Sequence, residues 1–344
     1  MRHNTLTGKD SWYIMGIGLV VVIILVCASV FVNGWTDSPN AIATVVSTRV
    51  LKPRVAIVLA AVFNLLGVFL MGSAVARTTA SVVEIGVGTE ALITLGAAQL
   101  AIVLWSVSAW KFGIPTSESH ALIAGLMGAG ISLNGFDAFN WDSVQKVLFG
   151  LVISTVFGFV LGYLATRAVE ISFANVHRQK ANTFFSFGQI GSASLMAFSH
   201  GAQDGQKFVG IFNLALVVGG ITDKDAPIPF WIMLMCSLIM AFGTSVGGYR
   251  IIKTMGIDMV RLEKYQGFSA EVVASASMLV ATKFGIPLST TNTKATAMMG
   301  AGATRGISAV NWGIAKDMVF AWVLTFPACL ILGYVFATFF RFVF

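Results

Sequence analysis

The stretch "FVNGWTDSPNAIATVVS", residues 31–47, places the carboxylate of Asp37 directly after an apolar run that carries no charge. That run, residues 14–32, is long enough to cross about 30 Å of hydrocarbon as a helix. A carboxylate at such a depth costs roughly 2.5–3.5 kcal/mol on insertion scales if it faces lipid. Asp37 therefore indicates a functional site rather than a surface position.

The amino-acid composition indicates that most of this chain is surrounded by lipid rather than water. Hydrophobic residues make up 56% of the sequence and charged residues only 11%, whereas a soluble domain has about 25% charged residues. These values predict an all-α polytopic membrane protein embedded in the lipid bilayer. The net charge of +7 comes from short basic clusters between apolar spans, which is typical of cytoplasmic loops and excludes a nucleic-acid partner.

An internal repeat organises the chain. Three blocks recur in the same order, offset by 167 to 172 residues. They pair FVNGWTDSPN (31–40) with FSHGAQDGQK (198–207), KFGIPTSESHALIAGLMGAG (111–130) with KFGIPLSTTNTKATAMMGAG (283–302), and AFNW (138–141) with AVNW (309–312). We predict a first repeat at residues 1–166, a cytoplasmic connector at 167–183 and a second repeat at 184–344.

Loop charges predict that the second repeat is inverted with respect to the first. Three segments are net basic and three are net acidic: 48–54, 167–183 and 249–264, against 77–90, 134–144 and 219–227. Placing the basic segments in the cytoplasm requires an odd number of crossings per repeat, about five. The protein is then a multi-pass protein of the cytoplasmic membrane with both termini extracytoplasmic. Inverted repeats with interrupted spans are typical of secondary transporters, whose sites lie near the bilayer midplane.

The interrupted spans carry candidate ligands for a cation. Asp37 and Asn40 flank a proline, which removes a backbone donor and predicts a break in the helix. A carboxylate, an amide and free carbonyl groups supply oxygen ligands for a hard cation such as Na⁺. The second repeat supplies Gln203 and Asp204 at the matching place. The alternative is that each aspartate caps a helix end or pairs with a lysine such as Lys207.

The two Gly-Ile-Pro segments predict paired helical hairpins. In "FGIPTSESH" and "FGIPLSTTN" the Gly-x-Pro ends one helix and hydroxyl residues open the next. A helix N-terminus presents free N–H groups and a partial positive charge, which suits an anion. The candidate anion ligands are Ser117, Ser119, Ser289, Thr290 and Thr291. The alternative is that these hydroxyls bond back to carbonyl groups of their own helices.

Three further side chains lie within these motifs. Glu118 sits beside the predicted anion site, where it is a proton-coupling group, a cation ligand or a rim residue facing water. His120 and His200 are either proton shuttles or structural histidines.

The duplicated motifs resemble those of the inorganic phosphate transporter (PiT) family, over nearly the whole chain. "SHGAQDGQK" is similar to the family signature Ser-His-Gly-x-Asn-Asp-Gly-Gln-Lys, with Gln203 where Asn is usual. "GWTDSPNA" keeps Asp37 and Asn40 of Gly-Ala-Asn-Asp-x-x-Asn-Ala. "GIPLSTTN" has Asn292 in a His position, and "GIPTSESH" has Glu118 in a Thr position. The short connector resembles bacterial members.

The resemblance implies symport of inorganic phosphate, driven by Na⁺ or H⁺, by alternating access. It implies that Asp37, Asn40, Gln203 and Asp204 serve the driving cation and that the five hydroxyls hold phosphate. Glu118, His120, His200, Lys207 and Asn292 are then accessory or proton-coupling residues. No cofactor is expected beyond the transported cation, and the sequence leaves open whether the protein is a homodimer.

Three other functions stay open at this point. A sulfate permease of the same fold would use the same hydroxyl groups, although sulfate has no proton to donate to Glu118 at neutral pH. A passive anion channel would need no bound driving ion, so it leaves the two aspartates unexplained. An integral membrane enzyme would need a nucleophile–base pair, a metal cluster or a nucleotide loop, and we find none at useful spacing.

Overall fold

The structure is a computed structural model that describes residues 8–113, 115–246 and 249–343. These residues form α-helices with short 3₁₀ and π-helical turns, and their only β pairing consists of two isolated bridges. The α-helices are α1 Gly8–Thr36, α2 Pro39–Ser47, α3 Pro53–Leu70, α4 Ala74–Ala80, α5 Thr89–Phe112, α6 Glu118–Asn134, α7 Trp141–Ser172, α8 Arg178–His200, α9 Gln206–Val218, α10 Phe230–Val246, α11 Tyr249–Lys253, α12 Lys264–Lys283, α13 Thr290–Ala303 and α14 Trp312–Val343. The predicted all-α class is confirmed.

The helix containing Asp37 is interrupted as predicted. Helix α1 ends at Thr36 and α2 begins at Pro39, where the missing N–H leaves no intrahelical bond to lose. The N–H groups of Asp37 and Ser38 both bond to the Asn33 carbonyl, at 2.9 and 3.2 Å. This shared acceptor interrupts the regular helical bonding at Asp37, although α1 and α2 together still form one span, Met15–Ser47.

The matching segment of the second half has a different local structure. Between α8 and α9, residues Gly201–Gly205 form a π-helical turn, so the chain continues as one helix with a bulge rather than breaking. The segment has glycines at both ends and no proline, which explains why the backbone is widened but not interrupted. The bulge places Asp204 on the inner side of the bundle, where it is 1% exposed.

Both Gly-Ile-Pro segments connect helices as the sequence predicts. Gly113 and Gly285 adopt positive φ angles of 71° and 64°, which end α5 and close the turn after α12. Ser117 then caps α6 by accepting the His120 N–H at 3.2 Å, and Ser289 caps α13 in the same way. Both helix N-termini therefore begin with a serine and point into the protein. Ile114 of the first segment lies outside the described residues.

In the described residues, six helical segments are long and apolar enough to span a membrane, one of them, Met15–Ser47, covering both α1 and α2. The number rises to seven when the bent pair formed by α10 and the 250–259 segment is counted as one span. Helices such as α9 and α13 are shorter than a bilayer-spanning helix, at 13 and 14 residues, and α13 is buried throughout. The predicted number of about ten spans, and the side on which each terminus lies, stay predictions; residues 1–7 and 344 lie outside the described part of the chain.

The two halves pack into each other in matched pairs. Helix α6 packs along α14 and α13 packs along α7, while α1 lies against α10 and α8 against α3. Each pair joins a helix of the first half to one of the second. Glycines permit the closest approaches: a Cβ on Gly128 would lie 1.9 Å from the Leu330 carbonyl oxygen, and one on Gly300 would lie 2.1 Å from that of Phe159. A duplication with two-fold symmetry would produce such matched helix pairs between the two halves.

We expect Gly128→Ala to lower the melting temperature of the detergent-solubilised protein. The added methyl group meets helix backbone, which cannot move aside as a flexible side chain can, and such overpacking costs about 1–3 kcal/mol. Gly300→Ala should have the same effect. The control is Gly191→Ala in α8, where nothing lies within 4 Å of the new Cβ. Equal melting temperatures for Gly128→Ala and Gly191→Ala would contradict this packing.

Candidate functional site

Asp37 lies where the α1–α2 break meets the N-terminus of α13. Its Oδ1 accepts a hydrogen bond from Asn40 Nδ2 at 2.5 Å and another from the Thr291 hydroxyl. Its Oδ2 accepts from Thr290 Oγ1 at 3.2 Å. All these donors are neutral, and among the described residues no lysine, arginine or histidine forms a salt bridge with Asp37, which is only 2% exposed. Asp37 is therefore a buried carboxylate without a cationic partner.

Asp204 faces Asp37 across a single hydroxyl group. Thr290 Oγ1 lies 2.7 Å from Asp204 Oδ2 and 3.2 Å from Asp37 Oδ2. Ligand atoms of Asp37, His200 and Asp204 lie within 4.8 Å of one another, close enough that they could hold a metal ion together. The aspartates predicted from the repeat are thus brought together at one place.

Lys207 provides the positive charge at this site. Its Nζ lies 2.7 Å from Asp204 Oδ1 and donates to Ser119 Oγ at 2.6 Å and to the Leu288 carbonyl at 2.5 Å. The side chain is 1% exposed, so the ammonium is fully desolvated and depends on these three acceptors. The aspartate–lysine pairing that the sequence left open is present for Asp204 but not for Asp37.

The serines of the two hairpins meet beside Lys207. Ser117 Oγ and Ser289 Oγ lie 2.8 Å apart, so the caps of α6 and α13 are in direct contact. Ser119 Oγ donates to the Leu288 carbonyl at 3.1 Å. The five hydroxyls predicted to bind an anion are all buried in one region. Thr290 and Thr291 donate to the carboxylates, whereas the three serines lie with Lys207 at the two helix N-termini, where hydrogen-bond donors are concentrated.

The amide of Gln203, predicted as a cation ligand, bonds to α12 and to the loop before α13. Its Nε2 donates to Thr282 Oγ1 at 2.9 Å and to the Met278 carbonyl at 3.2 Å, and its Oε1 accepts from the Leu288 N–H at 3.0 Å. The amide therefore ties the π-helical turn to α12 and to the loop before α13. In this conformation Gln203 positions the hairpin, whereas Asn40, with a buried and unpartnered Oδ1, faces the carboxylate of Asp37.

The residues predicted to be accessory or proton-coupling lie around Asp37 and Asp204. Glu118 accepts from Thr36 Oγ1 at 2.9 Å through Oε1, while its Oε2 is buried without a hydrogen-bond partner in the described structure. His200 Nδ1 lies 3.2 Å from Asn64 Oδ1 and its Nε2 lies 3.4 Å from Asp204. Two further side-chain atoms, His120 Nδ1 and Asn292 Oδ1, are likewise buried and unpartnered among the described residues.

The charges of this region do not balance by themselves. Three carboxylates, Asp37, Glu118 and Asp204, are each 2% exposed or less, and Lys207 is the one lysine among the residues described above. Burying an unpaired carboxylate away from water is costly, so bound cations or protons must compensate the excess negative charge. The arrangement can therefore hold a cation between Asp37 and Asp204 next to a surface that donates hydrogen bonds to an anion.

A second buried ion pair, Glu271 with Lys294, was not anticipated from the sequence. Lys294 Nζ lies 3.4 Å from Glu271 Oε1 and donates to Thr44 Oγ1 at 3.0 Å, and both charged side chains are 0% exposed. Glu271 also accepts from the hydroxyls of Thr44 and Ser192. The available signal was the one that identified Asp37, a lone charge within a span of apolar and small residues.

This pair joins α2, α8, α12 and α13 just beside the central site. Thr44 lies one helical turn after Asn40 on α2, and Lys294 lies one turn after Thr291 on α13. The two polar networks therefore share two helices. The Glu271–Lys294 contact links α12 directly to α13.

We expect Lys294→Met to destabilise the protein by about 3–5 kcal/mol, because Glu271 would be left buried without its counter-charge. The double variant Glu271→Gln/Lys294→Met should recover most of this loss, since it removes both charges and keeps an acceptor for Thr44 and Ser192. Thermal unfolding in detergent measures the difference. The control is Lys253→Met, which breaks an exposed contact of 4.0 Å with Asp258 and should change little. A double variant no more stable than Lys294→Met would contradict this assignment.

Comparison with known proteins matches this arrangement to one family. Residues 33–177 and 170–333 match the profile described as the Phosphate transporter family. A probable low-affinity inorganic phosphate transporter of Bacillus subtilis is 37% identical over 92% of this chain and 95% of its own length. One of Rhizobium meliloti with the same description is 40% identical, covering 88% of this chain and 90% of its own.

A solved structure has the same fold. The structure titled "The sodium-dependent phosphate transporter" superimposes with a TM-score of 0.88 and covers 95% of this chain and 100% of its own. Its sequence is 22% identical, so the likeness concerns the arrangement of helices. The two proteins therefore share one overall fold.

Proposed function

The chain belongs to the phosphate transporter family, and on that premise we propose that it couples uptake of inorganic phosphate to entry of a cation by alternating access. The resemblance noted from the duplicated motifs is confirmed, and the protein is a multi-pass membrane transporter rather than an enzyme. The cytoplasmic membrane, with the basic loops on the inner side, is the proposed location.

The observation that carries the proposal is the Thr290 hydroxyl, which contacts both carboxylates. It joins Asp37 to Asp204 at the N-terminus of α13, where the predicted anion ligands also lie. A cation bound by the carboxylates is therefore next to an anion bound by the helix end. The cation lowers the electrostatic cost of bringing a phosphate dianion to buried carboxylates, and this mutual stabilisation is the physical basis of coupling.

Na⁺ is the cation that the ligand set favours. Asp37, Asp204 and the unpartnered Oδ1 of Asn40 offer oxygen atoms, which a hard cation prefers. The structural relative is titled sodium-dependent, which supports the same choice here. A proton is the alternative, and Glu118, with its unpartnered Oε2, is the group that would carry it. In the proposed site Gln203 supports the hairpin and is not a direct ligand.

Phosphate is proposed to bind between the two hairpins. Ser117, Ser119 and Ser289 present hydroxyl groups, and Lys207 adds an ammonium that donates without accepting. These groups now bond to one another, so the phosphate oxygens would replace the Ser117–Ser289 contact. Because the ligands of both ions are buried, access from either side requires helices to separate, as alternating access demands.

Reconstitution into liposomes tests the proposed function directly. With an inward Na⁺ gradient and no pH difference, we expect labelled phosphate to accumulate above its external concentration. A pH gradient alone should drive much less accumulation. Excess unlabelled phosphate should abolish the signal, and excess sulfate should leave it largely unchanged. Equilibration without accumulation under both gradients would contradict symport and favour a channel, and stronger competition by sulfate would favour a sulfate permease.

Asp37→Asn and Asp204→Asn should each abolish concentrative uptake, because each removes a negative charge that the driving cation needs. The result for Asp37→Asn is easier to interpret, because Asp204→Asn also leaves Lys207 buried without its counter-charge. Asp223→Asn, at an exposed loop position, is the matched control and should transport normally. Melting temperatures establish that the variants are folded. Full activity of both variants would disprove the assignment of the cation site.

A further inference from the structure

A second cavity lies apart from the central site. It is formed by the net acidic segments, which the loop charges place on the extracytoplasmic side of the membrane. Its volume is about 660 Å³. It is lined by residues after α3, at the start of α7, and along α9 and the loop that follows, so both halves of the chain contribute. These segments correspond to 77–90, 134–144 and 219–227 with their immediate neighbours.

The charge of this cavity differs from the charge of the segments that build it. Each segment is net acidic in sequence, yet the cavity wall contains three basic side chains, Arg77, Lys146 and Lys224, and two acidic ones, Glu84 and Asp225. The folded chain turns other acidic groups away from the wall. Glu90, for instance, pairs with Arg341 at 3.1 Å. The wall therefore carries an excess of positive charge.

The three basic side chains are available to a ligand. Arg77, Lys146 and Lys224 are exposed, and within the described ranges none of them forms a salt bridge. Asn213 and Ser143 add neutral hydrogen-bonding groups to the same wall. Hydrated lysine and arginine side chains attract an oxyanion without holding it tightly, which suits a site that has to release its ligand quickly.

A close contact between α4 and α9 lines the cavity on the side nearest to Lys207 in sequence. Gly210 and Ala76 line the cavity, and a Cβ on Gly210 would lie 2.2 Å from the Ala76 carbonyl oxygen, so α9 and α4 touch backbone to backbone there. On α9, Gly210 lies one turn after Lys207. The α4–α9 contact therefore lies one helical turn from the central ammonium, at the side of the cavity that α9 lines.

We propose that this cavity is an outer collecting site for inorganic phosphate, in which Arg77, Lys146 and Lys224 concentrate the dianion above the α4–α9 contact before it reaches Lys207. The inference rests on the proposed uptake of phosphate and adds to it a separate, low-affinity anion site. A positively lined cleft focuses the field and raises the local concentration of an anion, and this effect weakens as salt screens the charges.

Two triple variants with the same loss of charge test the proposal in proteoliposomes. Arg77→Gln/Lys146→Gln/Lys224→Gln neutralises the cavity, and Lys52→Gln/Arg54→Gln/Lys180→Gln neutralises exposed basic residues of the predicted cytoplasmic loops. At low ionic strength we expect the first to raise KM for phosphate about fivefold with kcat unchanged, and the second to leave KM within 1.5-fold. High choline chloride should reduce the difference to less than twofold. Equal KM values for the two triples would overturn the proposal.

A labelling experiment tests the cavity without transport, so that its result is independent of symport. Asn213→Cys, at a neutral position of the cavity wall, keeps all three basic side chains, and a Cys27→Ser background leaves Cys236 and Cys329, both buried, as its other thiols. In purified protein without ion gradients, an anionic methanethiosulfonate reagent should modify Cys at position 213 several-fold faster than a cationic one, and inorganic phosphate should slow it. The control is Lys180→Cys, whose modification phosphate should not slow. Modification at position 213 that ignores reagent charge and phosphate would overturn the collecting site, whatever the uptake experiments show.

Discussion

A buried carboxylate without a positive partner is the constraint on which this structure depends. Asp37 receives hydrogen bonds only from neutral groups in the described structure, while Asp204, across the Thr290 hydroxyl, is already paired with Lys207. A fold that keeps such a group at its centre must compensate its charge with something that is not part of the chain. Either a proton or a bound cation has to supply that compensation.

Interrupted helices make this centre possible in a membrane. The break before Pro39, the π-helical turn at Gly201–Gly205 and the two serine-capped hairpins expose backbone groups that an intact helix would bond internally. Irregular backbone is tolerated at such depth only where protein surrounds it, and here the long helices α1, α7 and α14 enclose it. Tight glycine contacts such as Gly128 with Leu330 hold this enclosure together.

The helix break and the helix caps of the site were predictable from the sequence because each depends on residues that are neighbours in the chain. Pro39 predicts the break beside Asp37, and the Gly-Ile-Pro segments predict serine-capped helix starts, since capping and proline chemistry act within one helical turn. The repeat added a long-range expectation by placing Asp37 and Asp204 at matching positions. The duplicated motifs also identified the family, and the all-α membrane class followed from composition.

The sequence by itself determined the helices, their interruptions and the small set of polar residues that had to meet. Only the tertiary structure decided which of them meet: Lys207 neutralises Asp204 and not Asp37, Gln203 supports a loop, and Glu271 finds Lys294. It also brought basic side chains in or next to the net acidic segments, Arg77, Lys146 and Lys224, to one cavity. The physical reason is distance along the chain, because Asp37 and Thr290 are 253 residues apart and no local pattern encodes which buried charge will find which partner.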